Sequence, residues 1–533
     1  MAVLRIINAR IYDGSLNPPV DGEVWIRGDK IVSVGASRPG LQADETVDAR
    51  GRVVCPAFVD IHRHLDVKPF TDWTGETELR QGIATTVVGN CGMSMTPVSP
   101  EYAAAHYAFE EPVLGPMCEN PPQTYRAYLA ALESRPLPLN IAAMIGTGAV
   151  RISLKGFSNA PFTQEEMRKA QALIADSLDA GAPGVSLGIM YLPECYGSID
   201  EFAEMLKPVG ERGGVICTHI RGEDNSLVSS VEEVVEIARR AGCALEISHF
   251  KSCGVKNWRR EIFKAIERVE AARARGQDVT CDLYPYDRGS TTLTTMLPPA
   301  FVRGDMDAAL RRLGTPEGVE EFRESAAVEY PDWDNSTLSV GWDRILISAV
   351  VREENRKYVG LSVAEGAARY GYADAPALAA HLMHDEDGRT SIITRSMCQD
   401  DIDVIARLPY ASFISDAIYN ETDTPHPRMY GSMPKVIREY VRERGLLTME
   451  EAIHKMTAQP AARMGLEGRG ELKPGAFADV LMFDPAVFRD NATFESPARL
   501  ASGLDLMLVN GRKVIENDVL LTSAAGRCLR RGI

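Results

Sequence analysis

The sequence predicts an α/β protein: a (β/α)8 barrel of the TIM type, a small β-sandwich built from both chain termini, and an insertion between barrel strands seven and eight. Three observations lead there. The middle of the chain alternates apolar strand-like runs with helical ones. The first fifty and last sixty residues hold only short alternating strands. The gap before the last barrel strand is too long for a single crossover.

From the N-terminus, VLRIINARIYD, GEVWIRGDKIVSVG and TVDARGRVV alternate apolar and polar residues and are broken by Gly and Asp. ADVLMFDP and LDLMLVNGRKVIEN repeat this near the C-terminus, ahead of a polar, Arg-rich tail. Termini often lie close together, so the two sets are expected to pair. The predicted divisions are 1–56 and 471–533 for the terminal β unit and 57–470 for the barrel. Eight candidate barrel strands follow in order: 57–64, 84–90, 139–146, 184–188, 214–219, 244–250, 278–285 and 412–416. Between them, TQEEMRKAQALIADSLDAG has helical spacing, Thr163 as a cap and Gly181 at its end. SVEEVVEIARRAG and REIFKAIERVEAARARG read the same way. Much of 286–411 is expected to be an inserted subdomain or lid.

Composition narrows the function. The 533 residues carry 58 Lys and Arg against 74 Asp and Glu, a formal charge of −16. That balance argues against nucleic acid or an anionic membrane as partner, and leaves small-molecule substrates open. No stretch reaches the roughly 18 apolar residues of a spanning helix. The opening MAVLRIINARIYDG carries Arg5 and Arg10 and alternates like a strand, unlike a secretory signal. The ten cysteines include no CxxC pair and mostly read as buried small hydrophobes, so a cytoplasmic location is expected.

Ionisable residues collect at the C-terminal ends of the candidate strands, the mouth where barrel enzymes place their chemistry. His62 and His64 end strand one, Cys91 follows strand two, His219 and His249 end strands five and six, and Asp416 ends strand eight. Each is weak evidence alone; the convergence is the argument. Histidines two apart on a strand point to one face. Cys91, set between glycines in GNCG, forms with His219 and His249 a donor set suited to Zn²⁺. Three protein ligands leave a fourth position for water. Asp416 is then a general base, with helix capping as its alternative role. Gly184-Val185-Ser186-Leu187-Gly188 fits the G-x-S-x-G of serine hydrolases, but a loop rather than a helix follows it, which argues against serine chemistry.

These residues resemble the amidohydrolase superfamily and, within it, the N-acyl-D-amino-acid deacylases (D-aminoacylases). The shared motifs are VDIHRHLD, VVGNCGMS, THIRGED, ISHFKSCG, YPYDRGSTTL, ISDA, HPRMYGSMPKVI, KMTAQPAARMGL, GELKPGAFADVLMFDP and LVNGRKV. They span nearly the whole chain in order. The resemblance implies zinc-dependent hydrolysis of the amide of N-acyl-D-amino acids. Cys91, His219 and His249 would hold a tight Zn²⁺, His62 and His64 would line a weaker second metal position, and Asp416 would be the acid/base. Lys251, Tyr284, Ser290 and Arg428 would meet the substrate carboxylate, with Tyr191 also in the substrate site. Arg221 and Glu223 are either supports for the site or part of a surface loop. The chain departs from the family pattern at Thr147, where relatives commonly carry His, in the loop GIMYLPECYGS, and at Arg288, where a small residue is usual. Met296, six beyond Ser290, is apolar where an enzyme for acidic substrates would be expected to add cations. Two other readings compete. A cyclic-amide hydrolase of the hydantoinase or dihydroorotase kind usually needs a carboxylated Lys on strand four, and GVSLG has none. A non-catalytic scaffold would be expected to have lost ligands.

Overall fold

The computed structural model describes the chain except residues 1, 39, 332, 420–423 and 533. Each of the eight expected central strands is present, and all of their pairings are parallel. Phe58–Asp60 pairs with Ile83–Val88, which pairs with Asn140–Ala143. One residue further on, Ile145–Gly146 pairs with Gly184–Gly188. Val215–His219, Ala244–Ile247, Val279–Leu283 and Ala411–Phe413 then join in succession. Ile83–Val88 and Gly184–Gly188 are buried throughout, as parallel strands covered on both faces should be.

The first and last of these strands also meet. Arg63 forms a parallel bridge with Ala417. The Asp416 amide donates to the His62 carbonyl at 2.9 Å, and the His64 amide to the Ala417 carbonyl at 3.0 Å. A buried side-chain cluster reinforces the join. The Arg63 guanidinium donates to Glu78 Oε1 at 2.9 Å and to the Tyr419 hydroxyl at 2.7 Å, and lies 3.4 Å from Asp60. Asp60 in turn accepts from the amides of His62 and Ser415 at 3.2 and 3.1 Å.

The expected helices form with the expected ends. Gln164–Asp179 opens on a capping box in which Thr163 and Glu166 satisfy each other's amides. Leu227–Ala241 stops at Gly242, whose left-handed backbone closes the helix. No helix among the described residues is long and apolar enough to cross a membrane.

The two termini share one nine-stranded sheet, joined where Val53–Pro56 pairs antiparallel with Val480–Phe483. Ile6, Val24, Val54, Val480 and Leu508 fill its core. The chain end then leaves that sheet. Cys528–Leu529 pairs in parallel with Asn140–Ala143 of the central unit. Asn140 links the parts, donating to Asp479 at 3.2 Å and accepting from Asn510 at 2.7 Å and from the Arg527 amide at 3.1 Å.

Within 286–411, Gly289–Thr292, Ile345–Ala349 and Ser391–Thr394 form an antiparallel sheet of their own. Leu293, Phe322, Leu378 and Ile392 belong to a core separate from the central one. The helix Gln399–Arg407 is not part of it: Ile402 and Ile405 pack into the central core, so this segment is the crossover to the last strand.

Removing one member of a buried ion pair strands the other in low dielectric. Glu78→Ala is therefore expected to destabilise the protein by about 3–5 kcal/mol, read from the urea midpoint of far-UV circular dichroism. Exposed Glu211→Ala serves as control, with a change within about 0.5 kcal/mol. Equal midpoints for the two variants would refute a structural role for the Arg63 cluster.

Candidate metal and substrate site

The donors sit where their strands end. Cys91, His249 and Asp416 all adopt left-handed backbone, with φ of 56°, 36° and 51°. Non-glycine residues rarely adopt it, and such positions concentrate at functional sites because the surrounding fold must hold them there. Gly92 shows how tightly the Cys91 turn is packed. A Cβ on it would meet the Glu194 carboxylate at 1.9 Å. Glu194 is buried beneath this turn, where it accepts from the Gly188 amide at 2.9 Å and from the Thr147 hydroxyl. Burial raises its carboxyl to about 7.

The structure brings the six expected donor and acid/base residues together. Cys91 Sγ lies 3.3 Å from His62 Nε2, 3.8 Å from His219 Nδ1 and 3.5 Å from His249 Nε2. Two groups, Cys91 with His219 and His249, and Cys91 with His62 and His64, each place their donor atoms within 4.8 Å of one another. Asp416 Oδ1 lies 3.5 Å from His62 Nε2 and 3.4 Å from His64 Nε2, while Oδ2 pairs with Arg428 Nη1 at 2.8 Å. One cavity is lined by all of the expected site residues except His62, which is fully buried against Cys91.

The electrostatics suit a cation. Burial lowers His62 to about 4 and pushes His219 and His249 well below the usual histidine range, so the imidazoles are neutral with lone pairs available. Burial pushes the Cys91 thiol well up, so its thiolate needs a neighbouring positive charge. Asp416 behaves oppositely. Burial alone would raise it, but the Arg428 guanidinium and the His64 hydrogen bond hold it well below the usual carboxylate range. Outer contacts orient the ring donors. His249 Nδ1 is 3.0 Å from Glu223 Oε1, a contact that holds the ring with Nε2 facing Cys91. The Asp282 carboxylate accepts from the His249 amide and lies 3.9 Å from His62 Nδ1.

The other expected residues surround this centre. The Tyr191 hydroxyl is 3.4 Å from His219 Nδ1. Lys251 Nζ is paired with Glu223 and lies 2.8 Å from His249 Nδ1. The Arg428 guanidinium stands 4.8 Å over the Tyr284 ring and donates to the Ser290 carbonyl at 3.4 Å. Ser290 comes from the insertion, which also supplies Thr291, Met296, Val340 and Thr394 to the cavity wall.

Other positions resolve differently. Ser186 of the G-x-S-x-G match is fully buried and accepts from the Gly92 amide at 3.0 Å, so it is no exposed nucleophile. Thr147 is absorbed by Glu194 and does not line the cavity. Arg288 stacks 3.8 Å over Phe494, also outside the lining. Glu223, which the sequence leaves between support and surface loop, touches the site directly. Arg221 pairs with Glu233 and donates to the carbonyls of Cys195 and Gly197, bracing the loop that carries Tyr191. Sequence reasoning missed Asp282 and Met190, whose Sδ is 3.2 Å from His219 Nε2. Asp282 had a signal, as a carboxylate inside an otherwise apolar strand; Met190 had none.

Residues 405–515 match the amidohydrolase family. The chain is 33% identical over 531 residues to an N-acyl-D-glutamate deacylase of Alcaligenes xylosoxydans xylosoxydans, covering 98% of this chain and 95% of that protein. It is 30% identical to a D-aminoacylase of the same organism, covering 99% and 97%. Among solved structures it is similar to N-acyl-D-glutamate deacylase from Bordetella bronchiseptica complexed with zinc and a phosphonate mimic of the tetrahedral intermediate. That match has a TM-score of 0.83 and 30% identity, over 99% of each chain. With full-length likeness to these enzymes and a Cys–His donor cluster at its strand ends, the chain belongs to the N-acyl-D-amino-acid deacylase family of the amidohydrolases.

Proposed function

We propose that this protein hydrolyses the amide bond of N-acyl-D-amino acids, releasing a carboxylate and a D-amino acid. One observation carries the reading: Cys91, His219 and His249 converge beside an Asp416–Arg428 ion pair in a single cavity. The D-configuration rests on the names of the relatives. The architecture that supports it reads as a closed (β/α)8 barrel, the Arg63–Ala417 bridge being its seam. The terminal sheet reads as a sandwich folded around its own core, with divisions near 56 and 470.

Cys91, His219 and His249 would hold one Zn²⁺, with His62 and His64 serving a second, weaker position that shares Cys91. The donor set fits: a buried thiol that needs a positive neighbour, neutral imidazoles at His219 and His249, and His62 Nε2 and His64 Nε2 turned toward Cys91 and Asp416. When bound, zinc supplies Lewis-acid polarisation of a carbonyl and acidification of water.

The chain's own groups do the rest. Asp416 Oδ1, facing His62 and His64, takes the proton of the attacking water and returns it to the departing amine. Lys251, Arg428 and the hydroxyls of Tyr284 and Ser290 orient the substrate carboxylate by charge-assisted hydrogen bonds. The Tyr191 hydroxyl is placed to donate to the scissile carbonyl oxygen. The walls from the insertion exclude water and hold the amide against Asp416. Ten unpaired cysteines support a reducing compartment, the cytoplasm. The cyclic-amide reading lacks its strand-four lysine.

Zinc-loaded protein is expected to release amine from N-acetyl-D-amino acids and not from their L-isomers or from hydantoins. Turnover of hydantoins alone would overturn the proposal. Asp416→Asn should lower kcat by about 10²–10⁴-fold, the usual size of a general acid–base contribution, while retaining zinc by elemental analysis. Unchanged kcat would remove Asp416 from the mechanism. Cys91→Ala should lose the metal on dialysis, and Glu223→Gln should weaken zinc affinity about 10–100-fold as an outer contact. Competition with a chromophoric chelator measures both; wild-type affinity in Cys91→Ala would contradict the assigned ligand set, and in Glu223→Gln the outer role of Glu223.

A further inference from the structure

The cavity has a limited supply of positive charge, and all of it is committed. Among the described residues, Lys251 and Arg428 are its only lining lysine or arginine. Lys251 Nζ is bound to Glu223, and Arg428 Nη1 to Asp416 at 2.8 Å. The residues outside the description contain no lysine or arginine. Arg288 stacks over Phe494, and Arg395, between Thr394 and Ser396, is exposed and does not line the cavity. Much of the remaining wall is hydrocarbon and thioether, from Met93, Val113, Met190, Met296 and Val340. Met296 and Val340 come from the insertion and are 2% and 3% exposed.

We propose that this site selects N-acyl-D-amino acids with one carboxylate and a neutral, largely apolar side chain, in the class of methionine or leucine, over those with acidic side chains. The proposal rests on the deacylase reading above and specifies its substrate. One substrate carboxylate is accommodated, because Lys251 and Arg428 can each share a charge-assisted hydrogen bond with it. A second has no cationic partner, only neutral hydroxyls such as those of Thr291, Thr295 and Ser396. It would be desolvated against alkyl and thioether groups and repelled by Glu223 and Asp416, which is costly for an unpaired charge. Methionine side chains in the wall adapt to linear and branched apolar groups alike. Overall identity does not settle the preference: relatives named for D-glutamate and for D-amino acids in general stand at 33% and 30%. The charges at the cavity discriminate.

The test compares two near-isosteres, N-acetyl-D-methionine and N-acetyl-D-glutamate, on the full-length zinc-loaded enzyme. We expect kcat/KM to favour methionine by at least about 100-fold, the scale on which a site rejects an unpaired polar group. Met296→Arg should narrow that gap at least tenfold by lowering KM for the glutamate substrate. Calorimetry should show D-methionine, the product, binding the wild-type enzyme more tightly than D-glutamate. A wild-type glutamate rate within tenfold of methionine, or above it, overturns the proposal whether or not the variant folds. Absence of turnover with every N-acyl-D-amino acid would instead defeat the deacylase reading, and this proposal with it.

Discussion

Arg63 is fully buried between His62 and His64, and its guanidinium is divided among Asp60, Glu78 and Tyr419. A buried arginine is tolerable only when its charge and its donors are matched, so this cluster fixes where residues 60–64 and 415–419 sit relative to each other. Asp60 adds to the constraint by accepting from the amides of both His62 and Ser415. His62, His64 and the Asp416 carboxylate are thereby set opposite one another by parts of the chain more than 350 residues apart. The geometry of the site depends on this fastening, because none of those side chains chooses its own backbone position.

The chemistry of the cavity follows from dry surroundings. Burial keeps the imidazoles neutral, with lone pairs available to a divalent ion, while the Cys91 thiol gives up its proton only beside such a positive charge. The Asp416 carboxylate is stabilised by Arg428, which itself stands over Tyr284 and reaches Ser290. Arg428 therefore links the Asp416 carboxylate to the cavity wall at Tyr284 and Ser290. Glu223 plays the corresponding part on the other side, contacting His249 and Lys251 together. Left-handed backbone at Cys91, His249 and Asp416 is the conformational cost of aiming these groups inward.

Much of this was legible before the structure. Apolar runs with period-two or continuous patterning end in His62, His64, Cys91, His219, His249 and Asp416, and strand polarity sends those ends to one mouth. The capping of Gln164–Asp179 and the gap preceding Ala411–Phe413 were equally readable from local signals. Other features were hidden because they depend on which distant groups become neighbours. Glu223 stays open between a support for the site and a loop residue until His249 and Lys251 are beside it. Arg288 reads only as a departure from the family pattern until Phe494 is found beneath it. The tail at Cys528–Leu529 carries no sequence mark that it will leave the terminal sheet for Asn140–Ala143.

The sequence by itself determined the order of the elements and the chemical identity of the donors, because strand periodicity and side-chain type are local properties of the chain. Only the tertiary structure decided which charges are spent on each other, that Lys251 answers to Glu223 and Arg428 to Asp416, and which wall Met296 and Val340 build. Electrostatic pairing and desolvation act through space, so residues that are remote along the chain acquire their roles only when folding makes them neighbours.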